Sequence, residues 1–461
     1  MKKITKLLTG TLAFTILFYG HTPGLNALLI TLIVWGLLSI NNKRHAINPL
    51  SRVLSLALWL SALSFAWYGD FFSFAAMFVS LLVFGMHRQF PRINILLYPA
   101  LWFINYVSFI FRFFLFKYWL PKREPANHFW KKLLAMVVIP SFFLLLFIMM
   151  YASGSDIFSS FFQKFTQGID VLQLIFLVST GFFLLFNLFF MWLPRTSFRI
   201  NSGLVYDFNP AKQQLLKPTF SFLDISFERK SGEITLASLN ILLLFFIVTY
   251  NYEQFFSPIN TGTLSNEIHQ RVNTIIFSII MAIGVIMLYF KSTFNFDSKA
   301  TNLKRLAVVW IILNALLILS AIIKNSEYII NFGLTYKRIG VYIFLTLSLI
   351  GLLITYIKIR NKKTNSYLLS KMAWVFGATF IIASWVNFSW VVTKYNIVYN
   401  KKDDIEYLKS LDYNKQILYD TFKNDPLWTP YFENQKALVK DEKNKDILSS
   451  AGYYHFLNFN K

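Results

Sequence analysis

The chain has 461 residues, of which 56% are hydrophobic, 19% aromatic and only 15% charged. A soluble domain usually carries about 25% charged residues, so this chain needs lipid as part of its solvent. Its 45 Lys and Arg outnumber 22 acids, but they separate apolar runs and form no continuous patch, which argues against nucleic acid as a partner. The sequence has no cysteine, which excludes disulfides, thiolate metal sites and cysteine nucleophiles.

Apolar runs long enough to cross a bilayer recur along the whole chain. A membrane-spanning helix needs about 20 mostly apolar residues, with about 17 as the short end. The sequence therefore predicts an all-α, polytopic transmembrane helix bundle of about eleven spans. The predicted spans are 6–22, 24–40, 53–69, 70–86, 133–151, 171–193, 234–252, 272–290, 306–323, 339–357 and 372–393.

The apolar stretch 93–120 is ambiguous, and the distribution of basic residues decides how it is interpreted. If it does not span, the predicted inner segments hold 29 Lys and Arg and the short outer loops hold 5. Cytoplasmic loops carry such an excess, and a spanning 93–120 would move every later loop to the other side. We therefore predict a cytoplasmic amphipathic or re-entrant segment here, with the N-terminus inside a bacterial cytoplasmic membrane and the C-terminus outside.

This topology divides the chain into six predicted parts. They are an N-terminal four-span unit (1–92), the cytoplasmic segment (93–132), a two-span hairpin (133–193), a cytoplasmic linker (194–233), a five-span core (234–393) and an extracytoplasmic helical tail (394–461). In the tail, Leu408, Leu411, Ile417 and Leu418 recur at about helical spacing. Its many aromatic residues favour docking onto the outer membrane surface. Asp70, in a tight outer turn, is interpreted as a turn cap.

The interiors of the predicted spans contain a few neutral polar residues and essentially no ionisable ones. These residues are Asn187, Asn240, Asn314, Ser384 and Asn387, and we interpret them as partners in interhelical hydrogen bonds. Carriers that relay protons need ionisable groups inside their spans. The scarcity of such groups here argues against a proton-relaying carrier. The sequence also lacks a Gly-rich phosphate loop, a His-Glu-x-x-His zinc pattern and a nucleophile elbow. We therefore predict no cofactor and no metal.

One outer cluster is the candidate binding site for an anion or a lipid headgroup. Its members are Glu267, His269, Arg271, Tyr336, Lys337 and Arg338. Lys337 and Arg338 lie on the side that is poor in basic residues, and at a helix N-terminus, where the dipole disfavours a cation by about 0.3–1 kcal/mol.

Two interpretations of this cluster stay open. In the first, Glu267 pairs with Arg271 four residues later, while Glu327 or the acidic residues of the tail neutralise Lys337 and Arg338. In the second, the cluster binds an anionic ligand: a lipid phosphate, a polyprenyl-phosphate headgroup or an acidic glycan.

The segments around this cluster resemble a known family. They are Leu264–Phe290, the run Leu303-Lys304-Arg305-Leu306, Tyr328–Ile359, and Lys394-Tyr395-Asn396 after the last span. The most specific piece runs from Phe332 to Tyr342, with the sequence FGLTYKRIGVY. Over about residues 250–400 the chain resembles a bacterial multi-span family catalogued as a domain of unknown function, numbers 4173 and 4153. The resemblance implies an integral membrane protein with an amphipathic cytoplasmic segment, and no defined activity.

Three functional hypotheses follow. The first is a non-enzymatic sensory, regulatory or scaffold component of the cell envelope, with membrane lipids and envelope proteins as its candidate partners. The second is a permease or flippase-like transporter of an amphipathic or lipid-linked anion. The third is an enzyme on lipid-linked substrates, with Glu267 or His269 as base and with Lys337 and Arg338 holding phosphate. The oligomeric state stays open.

Overall fold

A computed structural model of the chain describes most of its length, and the described part is almost entirely helical. It covers residues 2–40, 49–115, 139–155, 170–208, 224–256, 264–291, 293–401 and 405–459, with single positions 119, 136, 158 and 160. Within these residues there is no β-strand, and one isolated bridge joins Asp207 to Lys363. The fold class is therefore all-α, as the sequence predicts.

The helices discussed below are numbered in chain order. The first half has α1 (Lys3–Phe18), α2 (Leu25–Ser39), α3 (Pro49–Tyr68), α4 (Phe71–Gln89), α5 (Tyr98–Val107), α6 (Phe109–Phe114), α7 (Ile139–Gly154), α8 (Val171–Phe189) and α9 (Arg195–Gly203). The second half has α10 (Ile225–Phe256), α11 (Leu264–Tyr289), α12 (Thr301–Phe332), α13 (Tyr336–Arg360) and α14 (Asn365–Trp385). The C-terminal region has α15 (Phe388–Val398), α16 (Ile405–Ser410), α17 (Lys415–Phe422), α18 (Thr429–Asn444) and α19 (Gly452–Phe456).

Among the described residues, 7 helices are long and apolar enough to cross a membrane by length and composition. They are α3, α4, α8, α10, α12, α13 and α14, and each overlaps a predicted span. The prediction of a multi-pass helical membrane protein is confirmed. The other predicted spans fall on α1, α2 and α7, with 16, 15 and 16 residues, and on α11, whose side chains are described from Thr274 onward. The count of eleven and the side of each terminus stay predictions.

Two buried cores organise the helices. The first cluster joins α1 to α4 with α8 around side chains such as Leu58, Phe84 and Phe186, and the second joins α10 to α13. The helices of the first cluster approach closely at Gly85, where an added Cβ would overlap Cδ1 of Leu188. Helix α14 packs on both clusters. Ser64 of α3, for example, donates a hydrogen bond to the backbone carbonyl of Ser384.

Long-range hydrogen bonds sort the helix termini into two ends of the bundle. At one end, the backbone N–H of Asp170 donates to the hydroxyl of Tyr19 (2.7 Å), and the hydroxyl of Tyr413 donates to the carbonyl of Tyr68 (3.0 Å). At the other end, the side-chain amide of Gln89 donates to the carbonyl of Leu188 (2.6 Å). We call the first the capped end, because residues 405–459 cover it, and the second the basic end, because most of the described Lys and Arg outside residues 405–459 lie there.

Residues 93–115, the continuously described part of the ambiguous stretch 93–120, stay at the basic end. The amide of Asn94 donates to the carbonyl of Leu204 (3.1 Å), and that of Asn105 donates to the carbonyl of Trp192 (3.0 Å). Helices α5 and α6 therefore lie against the end of α8. They leave an apolar face exposed that includes Phe103 and Phe111, which are 71% and 75% exposed. This arrangement fits an amphipathic segment, and its location in the membrane interface stays a prediction.

Other predicted features have mixed outcomes. The predicted linker 194–233 contains α9, and α10 begins inside it, while 209–223 lie outside the described residues. The interhelical role of Asn240 is confirmed, because its amide donates to the carbonyl of Leu306 (3.0 Å). Asn314 instead donates to the carbonyl of Trp310 (2.8 Å) in its own helix. Asp70 caps α4 by accepting from the N–H of Ser73 (2.7 Å), as predicted.

Residues 405–459, here called the C-terminal cap, form the helices α16 to α19. The prediction of a helical tail is confirmed, and Leu408, Leu411 and Leu418 are buried as their spacing indicates. These side chains share a core with Ile329 and Leu334 at the turn between α12 and α13. The cap is thus packed onto the helix ends through an apolar interface.

Candidate functional site at the capped end

The turn between α12 and α13 is fixed by a backbone requirement and by one asparagine. Gly333 has φ +80, which favours glycine, and a Cβ there would lie 2.5 Å from Oδ1 of Asn396. Asn396 accepts from the N–H of Leu334 (2.7 Å) and donates to its carbonyl (2.9 Å). Thr335 then caps α13 by accepting from the N–H of Arg338 (3.4 Å). The turn therefore has one defined geometry.

Arg338 is engaged by the end of the preceding helix. Its Nη1 donates to the carbonyl of Phe332 (3.0 Å) and to the carbonyl of Gly333, and its guanidinium lies 6.0 Å from the centroid of the Phe332 ring. These carbonyls close the C-terminus of α12, where a helix dipole favours a cation. The unfavourable position of Arg338 at its own helix N-terminus is thus offset by a favourable one at the end of α12.

Tyr336 and Lys337 differ in their surroundings. The hydroxyl of Tyr336 shares a hydrogen bond with that of Ser389 (2.6 Å), and its backbone N–H donates to the hydroxyl of Tyr407 (2.9 Å). Lys337, in contrast, is exposed to solvent. Tyr336 therefore links the turn to α15 and to the cap, while Lys337 is the cation of this turn that faces outward.

Glu327, one of the two acidic partners predicted for this turn, is engaged elsewhere. Glu327 pairs with Lys324, its carboxylate lying 2.9 Å from the Lys324 ammonium, and not with Lys337 or Arg338. Lys324 itself is buried and also lies 5.3 Å from the centroid of the Tyr328 ring. Backbone carbonyls at the end of α12 are partners of Arg338, and neutralisation of the turn by acidic residues of the tail stays a prediction.

The other half of the predicted cluster lies on α11. Glu267, His269 and Arg271 fall in its first turns, where the helix is described but the side chains lie outside the described residues. The structure therefore describes the surroundings of Tyr336, Lys337 and Arg338. Contact between these residues and the three residues of α11 stays a prediction.

Residues from distant parts of the chain meet beside the turn. The ring of Tyr413 in the cap packs on that of Tyr68 at the end of α3, with centroids 4.8 Å apart. Burial, and to a smaller extent the nearby negative charge of Asp70, raises the pKa of Tyr413, so its hydroxyl stays a neutral donor. Burial lowers the pKa of Lys415, which the charge of Asp412 opposes. The sequence interpretation missed this contact between the cap and the first cluster.

Asn396 is a further residue that the sequence interpretation did not single out as functional. It lies in the run Lys394-Tyr395-Asn396, which was one of the pieces of the family resemblance, and the structure joins it to Leu334 in the other piece. The presence of both pieces in one resemblance was the available signal, since residues in contact are constrained together.

Seven helices of the described part are long and apolar enough to cross a membrane, which defines this chain as a multi-pass α-helical membrane protein. The profile of the family described as "Domain of unknown function (DUF4153)" matches residues 50–420. The match covers well over half of the chain, and the chain belongs to that family. It extends farther toward the N-terminus than the resemblance over about residues 250–400. The chain matches no curated protein and no solved structure.

Proposed function

We propose that this protein is a non-enzymatic scaffold component of the bacterial cell envelope whose C-terminal cap presents a fixed surface to other envelope molecules. One observation carries the proposal: the cap is attached to both helix clusters at once. Its residue Ser449 accepts from the N–H of Thr22 (3.1 Å) in the first cluster, and its residue Tyr407 accepts from the N–H of Tyr336 (2.9 Å) in the second.

The same attachment speaks against the permease or flippase alternative. Alternating access moves one group of helices against another around a central site. Here such a movement would break contacts of the cap on one side. These include the packing of Phe456 on Trp67, with ring centroids 4.8 Å apart, and the apolar core around Leu408 and Leu334. A cap attached to both groups favours a static assembly.

The enzyme alternative also loses support. It needs Lys337 and Arg338 together to hold a phosphate, but Arg338 donates to two backbone carbonyls at the end of α12. Lys337 alone is a weak phosphate site, because a single exposed ammonium is strongly hydrated. The proposed base, Glu267 or His269, has no described geometry that would assist it.

A disulfide that locks the cap to the loop between α1 and α2 tests the scaffold proposal. Thr22→Cys together with Ser449→Cys places two thiols at a contact where the native residues are hydrogen-bonded, in a chain without other cysteines. We expect the oxidised double variant to complement a deletion strain as well as the wild type does under envelope stress. Each single variant serves as the control. Loss of complementation that a reductant restores would show that the cap must move, and would favour transport.

We further propose eleven spans, a cytoplasmic N-terminus and an outer C-terminal cap. The contacts support this topology because the segment after α4 stays at the basic end and α8 begins at the capped end. Single cysteines at Arg92, Arg195 and Lys337 test it with a membrane-impermeant maleimide, and all three positions are exposed. We expect labelling of intact cells only at Lys337. If the cysteines at positions 92 and 195 react from opposite sides of the membrane, the stretch 93–120 spans it.

A further inference from the structure

The backbone at the end of α13 has a feature that the capped end does not explain. Among the described residues, Lys362 and Asn400 are the non-glycine residues with positive φ, at +50 and +53. At Lys362 the N–H donates to the carbonyl of Ile359 (3.2 Å), and the next N–H, of Lys363, donates to that of Lys358 (2.8 Å). This closing pattern usually has glycine at its left-handed position, and asparagine is the common substitute. A lysine there is strained.

The same lysine also lies in an unfavourable electrostatic position. Its ammonium lies 5.5 Å from the centroid of the Phe296 ring, and the Lys304 ammonium donates to the backbone carbonyl of the next residue, Asp297 (3.3 Å). The two positive charges therefore lie in one neighbourhood, where they repel each other. Lys304 lies in the first turn of α12, where the helix dipole disfavours a cation as well. The face of the Phe296 ring favours the Lys362 ammonium, as the Asp297 carbonyl favours that of Lys304. Backbone strain at Lys362, the helix dipole at Lys304 and the repulsion between the two ammonium groups are thus all unfavourable for this pair.

The nearby acids are already engaged. Asp297 is buried, and its carboxylate accepts from Nη1 of Arg229 (3.0 Å) and from the backbone N–H of Lys299 (2.8 Å). Its backbone carbonyl accepts from the Lys304 ammonium (3.3 Å). Asp207 pairs with Lys363. Of the groups named here, the four cations Arg229, Lys304, Lys362 and Lys363 outnumber the two acids Asp297 and Asp207.

From this arrangement we propose that Lys304 and Lys362 together bind the phosphate of an anionic phospholipid in the leaflet at the basic end. A phosphodiester between two ammonium groups turns their repulsion into two charge-assisted contacts. The location fits a lipid, because the pair lies at the ends of two candidate spanning helices. Those helices expose Val309, Ile312 and Leu353, which offer apolar surface for acyl chains. The site is separate from the cap and does not depend on the scaffold proposal.

Lys362→Gly is the sharpest test, because glycine matches the left-handed backbone and removes the charge. The probe is the full chain in nanodiscs of phosphatidylcholine, alone or with phosphatidylglycerol, and the readout is the midpoint of thermal unfolding. For the wild type we expect phosphatidylglycerol to raise the midpoint. In the variant we expect at least half of this rise to be lost, while its midpoint in pure phosphatidylcholine equals or exceeds that of the wild type.

Two controls separate the contributions. Asn400→Gly relieves the same kind of backbone strain at the opposite end without changing charge, and should keep the full rise. Lys371→Gln removes an exposed charge on α14 at the basic end, whose ammonium lies 5.8 Å from the centroid of the Tyr367 ring, and should also keep the full rise. Lys304→Gln is the second test variant and should lose the rise as Lys362→Gly does. Native mass spectrometry then counts the phosphatidylglycerol molecules retained, and we expect fewer on both variants.

Three results would overturn the proposal. The first is an absent rise in the wild type. The second is a full rise in both Lys362→Gly and Lys304→Gln. In the third, inorganic phosphate added to phosphatidylcholine nanodiscs stabilises the wild type as strongly as phosphatidylglycerol does, which would assign the pair to a free phosphate.

Discussion

The capped end and the basic end of the bundle solve the same physical problem with different side chains. The last carbonyls of a helix have no partner in that helix, and near lipid they cannot be left to water. At the capped end Arg338 donates to the end of α12, but neutral contacts such as Asn396 to Leu334 fix the rest of the turn. At the basic end Lys6, Arg112 and Lys358 donate to the ends of α2, α8 and α11.

The comparison shows that one set of basic residues can serve two purposes. An excess of Lys and Arg on one side of the membrane sets the orientation of the spans. Here members of that excess also satisfy helix ends, as Lys358 does while it is fully buried, at 0% exposed, with its ammonium 3.0 Å from the carbonyl of Phe290. If this view is right, the effect of removing a cation depends on its carbonyl partners and its burial, and not on the end at which it lies.

The largest effect is expected at Arg112. Its guanidinium donates to the carbonyls of Phe190 (2.8 Å) and Asn105 (2.6 Å) and to Oδ1 of Asn187. Arg112→Gln should lower the free energy of unfolding by about 3 kcal/mol, since it leaves several acceptors without a charged donor. Titration with SDS in mixed micelles measures this. The control is Arg92→Gln, at an exposed side chain, with an expected change within about 0.5 kcal/mol. Equal effects of the two would contradict the capping role.

Gly333→Ala tests the neutral closure of the capped end. A Cβ at Gly333 would lie 2.5 Å from Oδ1 of Asn396, and the backbone there has φ +80. We expect a loss of about 2 kcal/mol from strain and from displacement of the asparagine. Gly340→Ala is the matched control, because a Cβ there meets nothing within 4 Å. If both alanines are tolerated equally, the turn is not fixed as described.

Arg338→Gln and Lys337→Gln separate two neighbours that the sequence treats alike. Arg338 donates to the carbonyls at the end of α12, so its replacement should lower the free energy of unfolding by about 1–2 kcal/mol. Lys337 is exposed, and its replacement should change stability by less than about 0.5 kcal/mol. The reverse order, or a loss of complementation in Lys337→Gln at unchanged stability, would return both residues to the anion-site interpretation.

The sequence predicts the parts of this structure that depend on local pattern. Helical content, the helical cap and the role of Asp70 follow from apolar periodicity and from turn chemistry. The role of Arg338 was missed because it depends on where the previous helix ends. Gly333 marks that end, and a cation in the first turn of the next helix is then close to the last carbonyls. Lys358 escaped notice because burial of a helix end depends on tertiary packing.

Among the three cationic caps tested here, the smallest effect is expected at Lys6, which probes the lower limit of the same mechanism. Its ammonium donates to the carbonyl of Ile40 at the end of α2 (2.9 Å), but this contact is exposed. Water can replace the lysine there, so Lys6→Gln should lower the free energy of unfolding by only about 0.3–1 kcal/mol. Lys2→Gln, at an exposed neighbour, is the control. A graded series from Arg112 through Arg338 to Lys6 would mean that burial and carbonyl partners set the strength of a cationic cap. A loss at Lys6 as large as that at Arg112 would mean that basic-end charge matters as a whole.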